Sequence, residues 1–166
     1  MFRVVLKDFA VTGRFGPIEM GMSKVEVTNL LGPPGGEAEF SAGSTGMLYG
    51  WYEFQFCDDK LILIQNDSYD PRDPTAVEFR NDRFEVDPWF LRTPLPLTSL
   101  NVTRNLESEG LSYEIAHLGS PENGIKVIML PSGFHFDFEQ ELEKLEDRPL
   151  IGFRYQSPRY CHVERR

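Results

Sequence analysis

The residues best suited to chemistry in this sequence are a histidine and two carboxylates that alternate with phenylalanines. His135, Asp137 and Glu139 take every second position of segment 134–139, so a β-strand there directs all three side chains to one face. An imidazole beside two carboxylates can bind a metal or transfer protons. The alternative is an ordinary half-buried strand whose phenylalanines face the core. We favour this alternative because the nearby sequence offers no clear further ligand.

No other segment indicates a known chemistry. Asp67, Asp70 and Asp73 have a calcium-like spacing, but they lack the glycine and closing glutamate of an EF-hand loop. Segment 43–50 contains glycines but no lysine, so it does not resemble a phosphate-binding loop. The sequence therefore predicts a protein with no cofactor and no bound metal, and an enzyme is the minority interpretation.

The composition is that of a folded acidic protein. Of 166 residues, 40% are hydrophobic and 13% are aromatic, which is too apolar for a disordered chain and fits one domain. The net charge of −9 repels nucleic acid and suits a basic protein partner, since opposite potentials speed association. Apolar runs are too short to span a bilayer, and the charged N-terminal segment does not resemble a signal peptide. We therefore expect a cytoplasmic protein.

The cysteine count fits a reducing compartment. Cys57 and Cys161 are too few for a disulfide framework, and we expect two packed thiols, with one disulfide as the alternative. A metal site is not expected, although His162 adjoins Cys161.

A helix and a hairpin are the clearest predicted elements of the first half. Ser23 and Glu26 form a capping box, apolar residues follow at helical spacing, and Gly32 with two prolines ends the helix. Beyond a glycine-rich stretch, segment 48–65 predicts two antiparallel strands that turn at Asp58-Asp59.

Alternation along the first of these strands separates a core face from an open one. Three aromatic residues point to the predicted core, namely Tyr52, Phe54 and Phe56, and four others point away from it, namely Tyr49, Trp51, Glu53 and Gln55. Large aromatics on an uncovered face are typical binding anchors. The alternative is that the connector or the last strand covers them.

The second half repeats this order at an offset of 75 residues. The helix start at Ser23 aligns with Thr98, and the hairpin turn falls on 132–133, between strands predicted for 124–130 and 134–138. We therefore predict an internal duplication. The alternative is the chance resemblance that any α+β protein shows between its helices and hairpins.

These elements predict an α+β fold, in which a duplicated module of a helix and antiparallel strands forms a curved antiparallel sheet with helices on one face. The single domain, 1–166, comprises two repeats at roughly 10–66 and 90–140, an acidic connector at 67–89, and a C-terminal helix and strand at 139–156. Segment 2–7 is rich in β-formers and predicts a first strand, and Asn81-Asp82 is the predicted turn of a small hairpin inside the connector.

The flanks of the first helix resemble a known family. Met20-Gly21-Met22-Ser23 before the helix and Gly32-Pro33-Pro34 after it resemble the opening helix of β-lactamase-inhibitor-protein-like modules. That class includes tandem-repeat inhibitors and single-repeat outer-membrane assembly lipoproteins. The resemblance implies a sheet whose free face grips a protein. The disulfides of the inhibitors and the lipidated cysteine of the lipoproteins are missing from this sequence.

The sequence therefore predicts a non-catalytic, protein-binding inhibitor, similar in character to bacterial immunity proteins, that neutralises a basic toxin or enzyme. The predicted partner-binding residues are Tyr49, Trp51, Glu53, Gln55, Asp70, Asp87, His135 and Asp137. Two alternatives stay open. One is a metal-dependent hydrolase that uses His135, Asp137 and Glu139, and the other is a structural or regulatory domain.

Overall fold

The computed structural model describes residues 1–70, 72–93 and 95–159, and the prediction for Cys161 lies outside them. In chain order the helices and strands are β1 (Phe2–Val5), α1 (Leu6–Thr12), α2 (Lys24–Leu31), β2 (Gly36–Ser41), β3 (Ser44–Tyr49), β4 (Tyr52–Cys57), β5 (Lys60–Asn66), β6 (Phe84–Asp87), α3 (Ser99–Ser108), β7 (Glu114–Leu118), β8 (Ile125–Met129), β9 (His135–Phe138) and β10 (Leu150–Gln156). Eight strands form one antiparallel sheet in the order β2-β3-β4-β5-β10-β9-β8-β7. The fold is α+β, as predicted.

The main sheet is built from two halves of the chain, and each half contributes a helix followed by four antiparallel strands. Helix α2 precedes β2 to β5, α3 precedes β7 to β10, and the halves join where β5 pairs with β10. Both helices begin with a capping box, Ser23 with Glu26 and Thr98 with Asn101. The 75-residue offset relates the two helix starts, but it places β4, the third strand of its half, on β8, the second strand of the other. An internal duplication stays a prediction, and it requires a different strand alignment.

The three α-helices of the described residues pack on one face of the main sheet. Their buried apolar residues are Leu6, Phe9, Ala10, Val27, Leu31, Val102 and Leu106. These residues share a core with the two predicted sets of inward aromatics, namely Tyr52, Phe54 and Phe56 in the first half and Phe134, Phe136 and Phe138 in the second. The predicted inward face of both halves is therefore confirmed. No helix among the described residues is long and apolar enough to cross a membrane.

The N-terminal segment differs from the predicted strand 2–7. Strand β1 ends at Val5, and α1 follows at once because Leu6, Phe9 and Ala10 recur at helical spacing and all face the core. Strand β1 pairs in parallel with β6 in a separate two-stranded sheet. No local pattern predicts this pairing, since its partners lie far apart in the chain.

The connector and the C-terminal segment differ in part from expectation. The small connector hairpin is confirmed, with Asn81 N donating to Phe84 O at 2.9 Å. The predicted helix at 139–147 is instead a loop that ends in a 3-10 turn at Leu145–Asp147. Side chains satisfy the loop's backbone, as Arg148 Nε donates to Leu142 O at 2.6 Å, and this competes with helix formation. The glycine-rich stretch before residue 48 is also a hairpin, made of β2 and β3.

Candidate functional site

The sheet face opposite the helices, called the open face below, is the candidate site. One residue from each strand forms a continuous row across it, in the order Gly36, Leu48, Glu53, Gln65, Arg154, His135, Met129 and Glu114. Directly opposed residues share one face of a sheet, and neighbouring residues along a strand point to the other. The core residues Phe54, Ile64, Phe153 and Phe136 stand next to members of this row, so the row points away from the helices.

Six polar side chains at the centre of the open face form a polar belt, namely Glu53, Gln55, Gln65, His135, Asp137 and Arg154. At one end of the belt, Glu53 accepts hydrogen bonds from Gln55 Nε2 at 2.6 Å and from Gln65 Nε2 at 3.2 Å. Gln65 is only 7% exposed, and its Oε1 accepts no hydrogen bond from any residue that the structure describes. A buried acceptor without a donor costs free energy, so this end of the belt is not fully satisfied by the described residues.

At the other end of the belt, Asp137 lies between two nitrogen-bearing side chains. Arg154 Nε donates to Asp137 Oδ2 at 2.9 Å, and His135 Nε2 lies 3.3 Å from Asp137 Oδ1. Burial alone would raise the pKa of the Asp137 carboxyl, but the contact with His135 and the charge of Arg154 outweigh it and lower the pKa. Asp137 is therefore a carboxylate whose charge is neutralised by its own neighbours.

Apolar side chains flank the polar belt on both sides. Towards β2, the exposed side chains of Phe40 and Leu48 lie on the open face, and the Phe40 ring covers Gly46, where an added Cβ would stand 2.9 Å from the ring. Towards β7, Met129 is half-buried and points to the same face as its cross-strand partner His135, whereas Val127, opposite Asp137, is fully buried and offers no surface. A polar centre between apolar flanks is a composition found in protein-binding surfaces.

Four of the predicted site residues meet in the polar belt. Glu53 and Gln55 come from β4, and His135 and Asp137 come from β9, with β5 and β10 between them. Gln65 and Arg154 complete the belt and are not among the predicted site residues. Alternation indicates only that Arg154, between Phe153 and Tyr155, faces away from the core. It gives no signal for Gln65, which ends the apolar run Leu61–Ile64, and only the order of strands places both residues in the belt.

Of the predicted anchors Tyr49 and Trp51, Tyr49 is buried in the core that the helices share with the sheet, so its predicted place on the open face is wrong. The chain turns at Gly50 and Trp51, so alternation does not continue from β3 into β4. Tyr49 is 1% exposed, donates its hydroxyl to Gly32 O at 2.7 Å and packs against Phe54. Burial raises the pKa of this hydroxyl. Trp51 is 56% exposed, but it belongs to the turn and not to a strand.

The two residues of the β3–β4 turn region should therefore differ in their effect on stability. We expect Tyr49→Phe to lower the free energy of unfolding by about 1–2 kcal/mol, because the buried Gly32 carbonyl loses its donor. Trp51→Ala should change it by less than about 0.5 kcal/mol. Urea denaturation followed by circular dichroism measures both. A larger effect from Trp51→Ala would place Trp51 in the core.

The two predicted site residues of the connector, Asp70 and Asp87, are not members of the polar belt. Asp70 accepts hydrogen bonds from the Arg72 side chain and backbone, which lower the pKa of its carboxyl. Asp87 belongs to the two-stranded sheet, whose Phe84 packs in the core behind the main sheet. There it accepts a hydrogen bond from Trp89 N at 3.0 Å. Asp87 therefore lies on the helix side of the molecule, away from the polar belt.

The geometry does not assemble the alternative metal site. Glu139 follows the end of β9, and its carboxylate accepts hydrogen bonds from the backbone of Gln140 and Glu141. His135 is only 6% exposed. Within residues 1–70, 72–93 and 95–159, no three His, Cys, Asp or Glu side chains form a group that could hold a metal ion. The proposed trio of His135, Asp137 and Glu139 therefore lacks its third ligand.

Comparison with known proteins adds no assignment: no protein-family model matches the chain, and neither the curated proteins nor the solved structures give a significant match. The resemblance to β-lactamase-inhibitor-like modules stays a prediction.

Proposed function

We propose that this protein is a non-catalytic inhibitor that binds a basic protein on its open face, as an immunity protein neutralises a cognate toxin or enzyme. The observation that carries the proposal is an eight-stranded sheet whose helices all pack on one face. The other face offers exposed Phe40 and Leu48 beside the polar belt. Exposed apolar side chains next to hydrogen-bonding groups are what a protein partner can desolvate with a gain in free energy.

The charge of the molecule supports a basic partner. The chain has 17 basic and 26 acidic residues, for a net charge of −9. On the open face, Arg154 is neutralised by Asp137, whereas Glu53 makes no ion pair with a described residue. The remaining charge of this surface is therefore negative. Opposite charge on a partner speeds encounter and disfavours acidic competitors.

The proposal is tested with one substitution on the open face, at the end of the central strand β10. Gln156 is exposed on β10 and opposes Leu63, a residue of the open face. Gln156→Arg adds bulk and positive charge there, and Val25→Arg adds the same side chain to the exposed surface of α2. A partner is captured from an extract of the source cells, purified, and titrated calorimetrically against the wild type and both variants.

We expect a basic partner that binds one to one, loses about tenfold to a hundredfold in affinity with Gln156→Arg, and binds Val25→Arg as it binds the wild type. This corresponds to about 1.4–2.8 kcal/mol. An acidic partner, or equal binding by both variants, would contradict the proposal. Failure of every captured protein to bind in purified form would favour the structural or regulatory alternative.

A further inference from the structure

A small cavity opens on the open face at its β2 end, and we call it the notch. Its volume is about 220 Å³, and it is lined by Gly36, Glu37, Ala38, Phe40, Gly46, Leu48 and Glu53. Sites for drug-sized ligands usually occupy about 300–1,000 Å³. The notch is therefore of a size for one long side chain and not for a cofactor.

The lining of the notch combines an apolar path with a carboxylate. Phe40 is 56% exposed and Leu48 is 42% exposed, so both present apolar surface to an incoming side chain. Glu53 adjoins Leu48 directly across the β3–β4 pair. Its carboxylate is held by two glutamine amides, and no described lysine or arginine forms an ion pair with it. An aliphatic stem with a cationic head matches this order of surfaces.

Gln65 does not line the notch, but it holds the carboxylate that does. Its side-chain nitrogen donates to Glu53, which fixes the amide orientation because the reverse orientation would bring its oxygen against a carboxylate. The Oε1 atom is then left buried without a described donor.

We propose that the notch binds a lysine or arginine side chain of the protein held on the open face. The stem packs on Leu48 and Phe40, and the cationic head pairs with Glu53. This inference rests on the proposed function for the identity of the ligand, but not for the chemistry of the notch.

Two matched small molecules test the notch directly. The probes are N-acetyl-arginine amide and N-acetyl-citrulline amide, which have nearly the same shape and differ in charge. They are titrated into the ¹⁵N-labelled protein, and NMR follows the backbone amides of Ala38, Gly46 and Leu48 and the side-chain amide of Gln65. We expect saturable shifts at these positions with the arginine probe and shifts at least about fivefold smaller with the citrulline probe.

Glu53→Gln should weaken binding of the arginine probe at least about tenfold, because it removes the charge and keeps the side-chain shape. Glu39→Gln is the matched control. Glu39 is exposed on β2, and it pairs with Thr45, the neighbour of open-face Gly46, so its side chain points to the opposite face of the sheet. The proposal for the notch would be contradicted by equal shifts with both probes, by the lack of a saturable shift, or by unchanged binding of the arginine probe to Glu53→Gln.

The outcome separates the two proposals. Suppose that a basic partner binds the open face and is weakened by Gln156→Arg, while the arginine probe does not bind. The proposal that the notch binds a basic side chain is then wrong, and the proposed function stands. If the probe binds in a Glu53-dependent way while no protein binds the open face, the notch stands as a site for a basic side chain and the proposed function fails.

Discussion

Replacing Phe15 with alanine should lower the free energy of unfolding by about 3–5 kcal/mol. Phe15 lies in the loop between α1 and α2, yet it is fully buried. Its ring lies 5.4 Å from Phe9, 5.3 Å from Phe54 and 6.1 Å from Phe84, measured between ring centres. It therefore joins α1, the main sheet and the two-stranded sheet, and its removal leaves a cavity among three elements that cannot easily close.

Phe40→Ala is the matched control for this substitution. It removes the same ring from a surface position that is 56% exposed, so its effect should be below about 1 kcal/mol. Guanidinium denaturation of the two variants beside the wild type gives both values. If Phe15→Ala cost no more than Phe40→Ala, the loop would not be part of the core and the packing described for it would be wrong.

Replacing Asp137 with asparagine should lower the free energy of unfolding at neutral pH by about 2–4 kcal/mol. Removing one member of a buried ion pair costs about 3–5 kcal/mol when the remaining charge stays buried. We place the effect lower because the side chain of Arg154 is 35% exposed and retains some solvent. Asp70→Asn removes an exposed carboxylate paired with Arg72 and should leave stability nearly unchanged.

The pH dependence of this effect has a defined sign. The folded state lowers the pKa of Asp137 below its unfolded value, so the carboxylate stabilises the fold above the unfolded pKa, about 3.9, and this contribution is lost as the pH falls through the folded pKa. The wild type should therefore lose its advantage over Asp137→Asn below about pH 4. Denaturation curves at several pH values measure the difference, and an advantage that grew on acidification would contradict the ion-pair geometry.

Local patterns predicted those parts of the fold that depend on a few neighbouring residues. The capping box at Ser23 and Glu26 gave the start of α2, and alternation gave the buried faces of β4 and β9. The prediction of one strand for the N-terminal segment was wrong because β-formers such as Val4 and Val5 stand immediately before a helix that tertiary packing stabilises. Propensity over so short a segment is a weak guide.

The candidate site was half predicted for a related reason. Glu53, Gln55, His135 and Asp137 share a face because alternation holds within a strand. Tyr49 was misplaced because alternation fails across the turn at Gly50. In the sheet, β5 and β10 lie side by side between β4 and β9, and no sequence pattern predicts that order of strands. Gln65 and Arg154 therefore became visible as site residues only when the sheet was assembled.

The pairing of β5 with β10 has a consequence for how the chain is made. Asn66 pairs with Phe153, so the ribosome must synthesise nearly the whole second half before the join can form. Until then the apolar run Leu61–Ile64 carries an unpaired strand edge, a known route to aggregation. The β10 strand of another copy can also fill this edge, giving domain-swapped dimers at high concentration. Dilute refolding should therefore favour the monomer.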